Sequence, residues 1–273
     1  MKRTILYTLF AASLATAFMI QSCEPLEPST FTEKFYRIAT VQYTNNKASL
    51  LLDCTGERYY FTNFATESDM QEFDVSPGDR VIAGMTVTAI GTLSNNKLHL
   101  DEIAKYPTLS LAESHPSDSV YNYKYKFDTY TLVNQTYPII WSQGHLVNVT
   151  PSFVLSSKEK TAQFYLYPID VNNNTLVMRL YSNIPDTLPA NYAEHALLCY
   201  DLSTLRNPVS DPDEQIHRDS ILNKLDLLDS DSIKVQIYEP EIMRDIWKTD
   251  NGVKEKKYYN PRSSVSVSIP FDF

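Results

Sequence analysis

Metal binding and acid–base catalysis need His, Cys or carboxylate side chains that converge at short spacing. The five histidines, His99, His115, His145, His195 and His217, share no such spacing. His195 and Cys199 stand four residues apart, but the residues around them do not follow a helical pattern. Asp226, Asp229 and Asp231 could hold calcium on a loop, yet no glycine is near to make the tight turn such a loop needs, and a solvated acidic loop is expected. There is no Gly-x-Ser-x-Gly elbow for a nucleophile and no Gly-rich phosphate cradle. Carboxylate pairs are plentiful, as chance dictates with 33 Asp and Glu. The expectation is a non-enzymatic chain with no metal and no cofactor. Tyr121, Tyr123, Tyr125 and Phe127 alternate with polar residues. They could stack against a glycan, or they could be the inward face of a sandwich. In the adjacent pairs Tyr59-Tyr60 and Tyr258-Tyr259 one ring of each pair must point outward, where it could touch a partner.

One cysteine does carry chemistry. Lys2 and Arg3 open the chain, and a 16-residue apolar run follows over residues 5–20, shorter than the roughly 20 a spanning helix needs. It ends in Ile20-Gln21-Ser22-Cys23, which resembles the lipobox of bacterial lipoproteins: a small residue before the cysteine and an apolar one three back. Gln21 departs from the usual small or apolar residue. Residues 1–22 are then a signal peptide, and Cys23 takes a thioether lipid and, on its freed amine, an acyl chain such as palmitate. Residues 23–33, with Glu24, Pro25, Glu27 and Pro28, form a tether. Cleavage removes 22 of the 273 residues, leaving 251, and the loss of Lys2 and Arg3 moves the formal net charge from −9 to −11. Such an acidic exported chain is a poor nucleic-acid binder.

Cys54 and Cys199 remain. Two cysteines make no disulfide framework, and two separate buried thiols are expected. Nineteen tyrosines against six glycines, with Val and Thr abundant, favour strands.

The elements follow from the alternation. Residues 34–106 read as five strands with a short helix over residues 67–73, capped by Ser68 with Gln71, between the third and fourth. That is the order of an OB-like barrel. Val81, Ala83, Met85, Val87 and Ala89 share one face of the fourth strand, and Gly84 and Gly91 mark its bends. Residues 107–118 read as a linker. Residues 119–273 read as an antiparallel Ig-like sandwich of about seven strands, two of them at 137–149 and 265–271. A helix over residues 214–228 is inserted between strands, with Ile216, Ser220, Leu222, Leu225 and Leu228 in helical spacing. The fold class is all-β. Pro270 should lie at a sheet edge. Deleting residues 264–273 is expected to unfold the sandwich and spare the barrel.

With Pro77-Gly78-Asp79-Arg80-Val81 entering a long strand, its hairpin partner at residues 98–103 and a Pro-marked exit, the chain resembles the NigD-like lipoproteins of Bacteroidota. The resemblance spans the mature chain. It implies an N-terminal OB-like domain, a C-terminal β-sandwich and lipid attachment at the outer membrane, with an unknown protein or glycan as partner. The family is named from a bacteriocin locus, so an immunity role is one alternative; an envelope glycan hydrolase is another. Asp118-Ser119-Val120, Asp186-Thr187-Leu188, Asp219-Ser220-Ile221 and Asp231-Ser232-Ile233 resemble the Bacteroidota O-glycosylation acceptor, which makes Ser119, Thr187, Ser220 and Ser232 candidate acceptors.

Overall fold

The structure, a computed structural model, describes residues 30–90, 97–116, 125–133, 135–155, 161–184, 192–228, 230–238, 243–245, 256–258 and 264–270. It is mostly strand, as expected.

Strand β1 (Thr30–Thr44) turns into β2 (Lys47–Leu52) through Asn45 and Asn46, at φ 54° and 58°. Asn tolerates this left-handed backbone, and two such residues match the right-handed twist of a hairpin. Register runs from Thr44↔Lys47 to Ala39↔Leu52. β3 (Arg58–Tyr59), helix α1 (Glu67–Glu72), β4 (Arg80–Ile90) and β5 (Lys97–Lys105) complete a sheet ordered β3-β2-β1-β4-β5. This is the strand order of an OB barrel cut open between β3 and β5. The seam is bridged by one backbone bond, Thr62 N–H to Leu98 O at 3.1 Å, and by the Asn63 side chain, whose Nδ2 donates to Leu100 O at 2.8 Å and whose Oδ1 accepts from Leu100 N at 2.9 Å. The helix begins two residues earlier than Ser68 would place it. Thr66 caps it in a reciprocal box with Asp69, because those two side chains reach each other's backbone N–H.

Val81, Ala83 and Met85 are fully buried on one face of β4 with Ala39, Val41, Leu50, Phe64 and Leu100. Val87 is half-buried; the Ala89 side chain and Gly91 lie outside the described residues. Gly84 has a steric reason: a Cβ there would stand 2.8 Å from Glu102 Cγ and 2.9 Å from Tyr36 Cε1. The described residues of 34–86 and 98–273 form one compact unit, apart from residues 30–33, 87–90 and 97.

The segment expected as a linker carries a strand, β6 (Thr108–Ser110). It is also pinned at His115, whose N–H donates to Glu214 Oε1 at 2.7 Å and whose ring meets Tyr167 and Tyr181 edge-on. Then come β7 (Tyr125–Phe127), β8 (Tyr130–Leu132), β9 (Gln135–Tyr137), β10 (Ile140–Gln143), β11 (Leu146–Val149) and β12 (Pro151–Leu155). The single strand expected over residues 137–149 is thus the end of β9, then β10 and β11. The break falls at Gly144, whose φ of 59° makes the turn. β13 (Gln163–Asn172) and β14 (Thr175–Asn183) form a long hairpin over Asn173 and Asn174, both left-handed. β15 (Tyr192–His195), β16 (Leu198–Asp201), a 3-10 turn (Leu202–Arg206) and helix α2 (Pro212–Asp226) follow. The chain ends in β17 (Ser232–Tyr238), β18 (Met243–Asp245), β19 (Lys256–Tyr258) and β20 (Ser264–Pro270).

These strands make three principal sheets, β10-β11-β16-β6, β15-β12-β7 and β13-β14-β17-β20. The sandwich departs from a purely antiparallel one in two pairs, β14 with β17 and β16 with β6, which run parallel. The crossover into β17 carries α2, which covers the core with Ile221 and Leu225. Its inward face is Arg218, Ile221 and Leu225; Ile216 and Ser220, expected on the apolar stripe, face solvent instead. β20 lies at a sheet edge with Pro270 at its end, where a missing N–H costs no ladder bond.

Candidate functional site

The chemistry-bearing residues of this fold meet on the outer face of the N-terminal sheet. In β4 the odd positions Val81, Ala83 and Met85 fill the barrel core, so Arg80 and Ile82 must point the other way. In β1, Ala39 and Val41 face the core, and Ile38 and Thr40 look outward. That outer face is not in water. Ile38 is buried with Tyr137 and Trp141, and Ile82, Tyr106, Tyr130 and Leu132 pack around them. Tyr137 Oη accepts the backbone N–H of Ile38 at 2.8 Å, a hydrogen bond from the sandwich to β1.

Within this layer lies a charge pair. The turn through Ser76, Pro77 and Gly78 is closed by Asp79, whose Oδ2 accepts Ser76 N–H at 2.9 Å and whose backbone N–H donates to Ser76 O at 3.1 Å. It delivers Arg80 as the first residue of β4. Arg80 Nη1 donates to Asp53 Oδ1 at 2.8 Å and to Thr40 Oγ1 at 2.5 Å, and Nη2 donates to Asp53 Oδ2 in a bidentate pair. Trp141 Nε1 donates to the same Asp53 Oδ2 at 2.7 Å, and Asn148 Oδ1 accepts from Arg80 Nη2 at 3.3 Å. Both charged side chains are wholly sealed from solvent. Burial opposes the charge on Arg80, but the Asp53 hydrogen bonds and charge outweigh it and raise its pKa. Two residues of the N-terminal sheet are thus hydrogen-bonded to two of the sandwich, while Arg80 Nε and Asn148 Nδ2 stay without a partner among the described residues. Removing either charged partner would strand the other in the interior.

Beside the lock, the junction opens into a cleft. A cavity of about 520 Å³ is walled by Thr40 and Gln42 of β1, Thr108 of β6, the Gln143-Gly144-His145 turn and Asp201. A second cavity of about 470 Å³, with Asp79, Lys105 and Tyr106, shares Gly78 and Thr108 with it. His145 Nε2 lies 3.6 Å from Asp201 Oδ1. Asp201 is itself held, accepting Ser203 N–H at 2.8 Å and Ser203 Oγ–H at 2.6 Å as the cap of the 3-10 turn. Gln42 Oε1 is buried and has no hydrogen-bond partner among the described residues. An unmet buried acceptor costs roughly 1–3 kcal/mol.

The residues singled out by sequence fall elsewhere. Cys23, Ser119 and Thr187 lie outside the described residues, as do Tyr121, Tyr123, Tyr259 and Asp229. Ser220 is exposed at the middle of α2, and Ser232 is exposed at the start of β17. Tyr125 and Phe127 are half-buried against the sandwich core. Tyr125 Oη donates to Leu180 O at 2.6 Å, so for these two rings the core reading holds. Tyr60 points outward and Tyr59 packs inward. The histidines stay apart from any ligand set: among the described residues no three His, Cys, Asp or Glu side chains gather as metal ligands. His195 sits on β15 near Asp128 at 3.9 Å, and Cys199 sits on β16 near Arg80. Neither cysteine is bonded. Cys199 is buried as expected, with its thiol pushed up to about 11 by burial. Cys54 is exposed, against expectation, because its left-handed φ of 65° turns it out of the β2–β3 bend.

The Asp53–Arg80–Trp141–Asn148 network was not anticipated. The signal that this face is covered was present in Ile38 and Ile82, apolar residues on strand positions that a one-sided sheet would leave polar.

No family model matches this sequence, and no curated protein matches it. Solved structures do. A toxin-related candidate protein from Parabacteroides distasonis aligns over 88% of this chain and 95% of its own, at 13% identity and TM-score 0.49. A candidate lipoprotein from Bacteroides fragilis aligns over 88% and 98%, at 12% identity and TM-score 0.48. A NigD-like immunity protein from Bacteroides caccae aligns over 76% and 85%, at 14% identity and TM-score 0.41.

Proposed function

We propose that this chain is a non-enzymatic lipoprotein of the cell envelope, anchored at the outer membrane by lipid on Cys23, whose folded part binds a protein or glycan partner at the junction cleft. The observation that carries the binding role is the sealed lock. The bidentate pair of Asp53 with Arg80 has no solvent contact and so holds two β-lobes in place instead of meeting a substrate. A fixed junction keeps the adjoining cleft preformed, which lowers the ordering cost of binding. The anchor reading rests on the Ile20-Gln21-Ser22-Cys23 sequence after an apolar run. Cys23→Ala should abolish incorporation of radiolabelled palmitate in the producing cell; label that persists in the variant would remove Cys23 as the anchor. Exposure of Ser220 and Ser232 keeps both open to O-glycosylation, and an intact mass above the lipidated value by whole sugar units is the expected outcome.

A further inference from the structure

We propose that the junction cleft takes a neutral saccharide, of disaccharide size or longer, held by amide, hydroxyl and carboxylate side chains. This deepens the binding role above and rests on it. The walls present two carboxamides, Gln42 and Gln143, the Asp201 carboxylate and the His145 imidazole. Planar groups of this kind pair with neighbouring sugar hydroxyls, each of which donates one hydrogen bond and accepts others. The wall is stiff. The Thr40 hydroxyl is held by Arg80, and Asp201 is held by Ser203.

The same lining argues against other ligand classes. The larger cavity has no Lys or Arg on its wall, and Arg80 beneath it is consumed by Asp53. Lys105 in the adjoining cavity already faces Asp74 at 3.2 Å and Asp79 at 3.9 Å. An anion would therefore meet Asp201 without a free cation. A peptide partner needs buried apolar anchors, and the larger cavity offers only Leu51 and Leu146 as apolar side chains. Its volume is that of a small-molecule site, and the second cavity shares Gly78 and Thr108 on its wall.

The test uses the full chain in detergent micelles and saturation-transfer NMR. Maltose, cellobiose and N,N′-diacetylchitobiose are the neutral probes; a sulfated heparin disaccharide and a neutral tetrapeptide are the contrasts. Transfer to at least one neutral disaccharide is expected. Gln143→Ala and His145→Ala should each weaken it by about fivefold, the equivalent of one lost hydrogen bond, with an unchanged thermal midpoint. Leu227→Ala, remote at the C-cap of α2, should leave it unaltered. Three outcomes overturn the proposal: no transfer to any of the three disaccharides, transfer indifferent to both cleft variants, or stronger transfer to the sulfated sugar or the peptide. Palmitate labelling of Cys23 is read separately, so a failed cleft with retained label rejects the saccharide and not the lipoprotein.

Discussion

Asp53 and Arg80 form a buried ion pair whose worth depends on being complete. Asp53→Ala leaves a guanidinium in a dry layer beside Trp141, with its remaining polar contacts to Thr40 and Asn148 too few to replace a carboxylate. The loss should be roughly 3–5 kcal/mol, measured by urea unfolding, whereas replacing both charged partners with apolar residues of similar volume should recover most of it. If the single variant unfolds like the natural chain, the pair is not buried as described. Gly84→Ala is a smaller case with a different cause. The added methyl meets Glu102 Cγ and Tyr36 Cε1 below van der Waals contact, so the Tyr36–Glu102 hydrogen bond of 2.6 Å must shift. A cost of about 1–3 kcal/mol is expected by thermal or chemical denaturation. At this scale the sequence was only partly legible. Cys199 could be read as a buried thiol, since an isolated cysteine in a strand is a small hydrophobe. Arg80 could not be read as buried, because nothing local to Arg80 states that Asp53, 27 residues earlier, and Asn148, 68 residues later, converge on it.

Elements were more legible than residues because periodicity is local. The Asn45-Asn46 turn, the alternation of Val81, Ala83 and Met85, and Asp211-Pro212 at the head of α2 each state their structure within a few residues. What failed were boundaries set by competing local signals. Ser68 with Gln71 and Thr66 with Asp69 are both capping patterns; Thr66 wins because Asp69 Oδ2 accepts the N–H groups of both Ala65 and Thr66 at 2.8 Å. Those backbone bonds, with the Thr66 hydroxyl adding to them, hold Asp69 below the usual carboxylate pKa. The folded value is the lower one, so the stabilisation is present above the unfolded carboxylate pKa and is lost as pH falls through the folded one. Protection of the α1 amides, relative to their intrinsic exchange at each pH, should therefore fall on acidification before that of the β-core does. Thr66→Ala should cost about 0.5–2 kcal/mol, and Asp69→Asn should remove that early acid step. An α1 that stays protected in Thr66→Ala at neutral pH would show that the cap does not hold the helix.

For the molecule as a whole, the two lobes look separable in sequence and are joined in structure. The sequence places a boundary at residues 107–118, yet that stretch contributes β6 to the sandwich and is tied at His115 to α2. The consequence is clearest at the C-terminus. β20 pairs with β17 along seven residues, from Ser232↔Pro270 to Tyr238↔Ser264, and buries Ile269, a side chain worth roughly 1.5–3 kcal/mol. Ser268 O also accepts the Ser142 hydroxyl at 3.1 Å, and Ser142 is next to Trp141 on β10. Deleting residues 264–273 thus opens the sandwich core and loosens the strand that covers Asp53. An OB-like sheet able to stand alone would survive this, as alternation along the chain suggested. A sheet whose outer face holds Arg80, Asp53 and Ile38 under Tyr137 and Trp141 should not, because losing the cover leaves an ion pair and apolar side chains where neither is satisfied. The expected outcome for the deletion is joint loss of exchange protection in β4 and in β13–β14. In the full chain the matching expectation is one unfolding transition in urea, the same by far-UV circular dichroism and by the fluorescence of Trp141 in a Trp247→Phe background. Two separated transitions, or a protected β4 in the truncated chain, would mean that the lock does not couple the lobes.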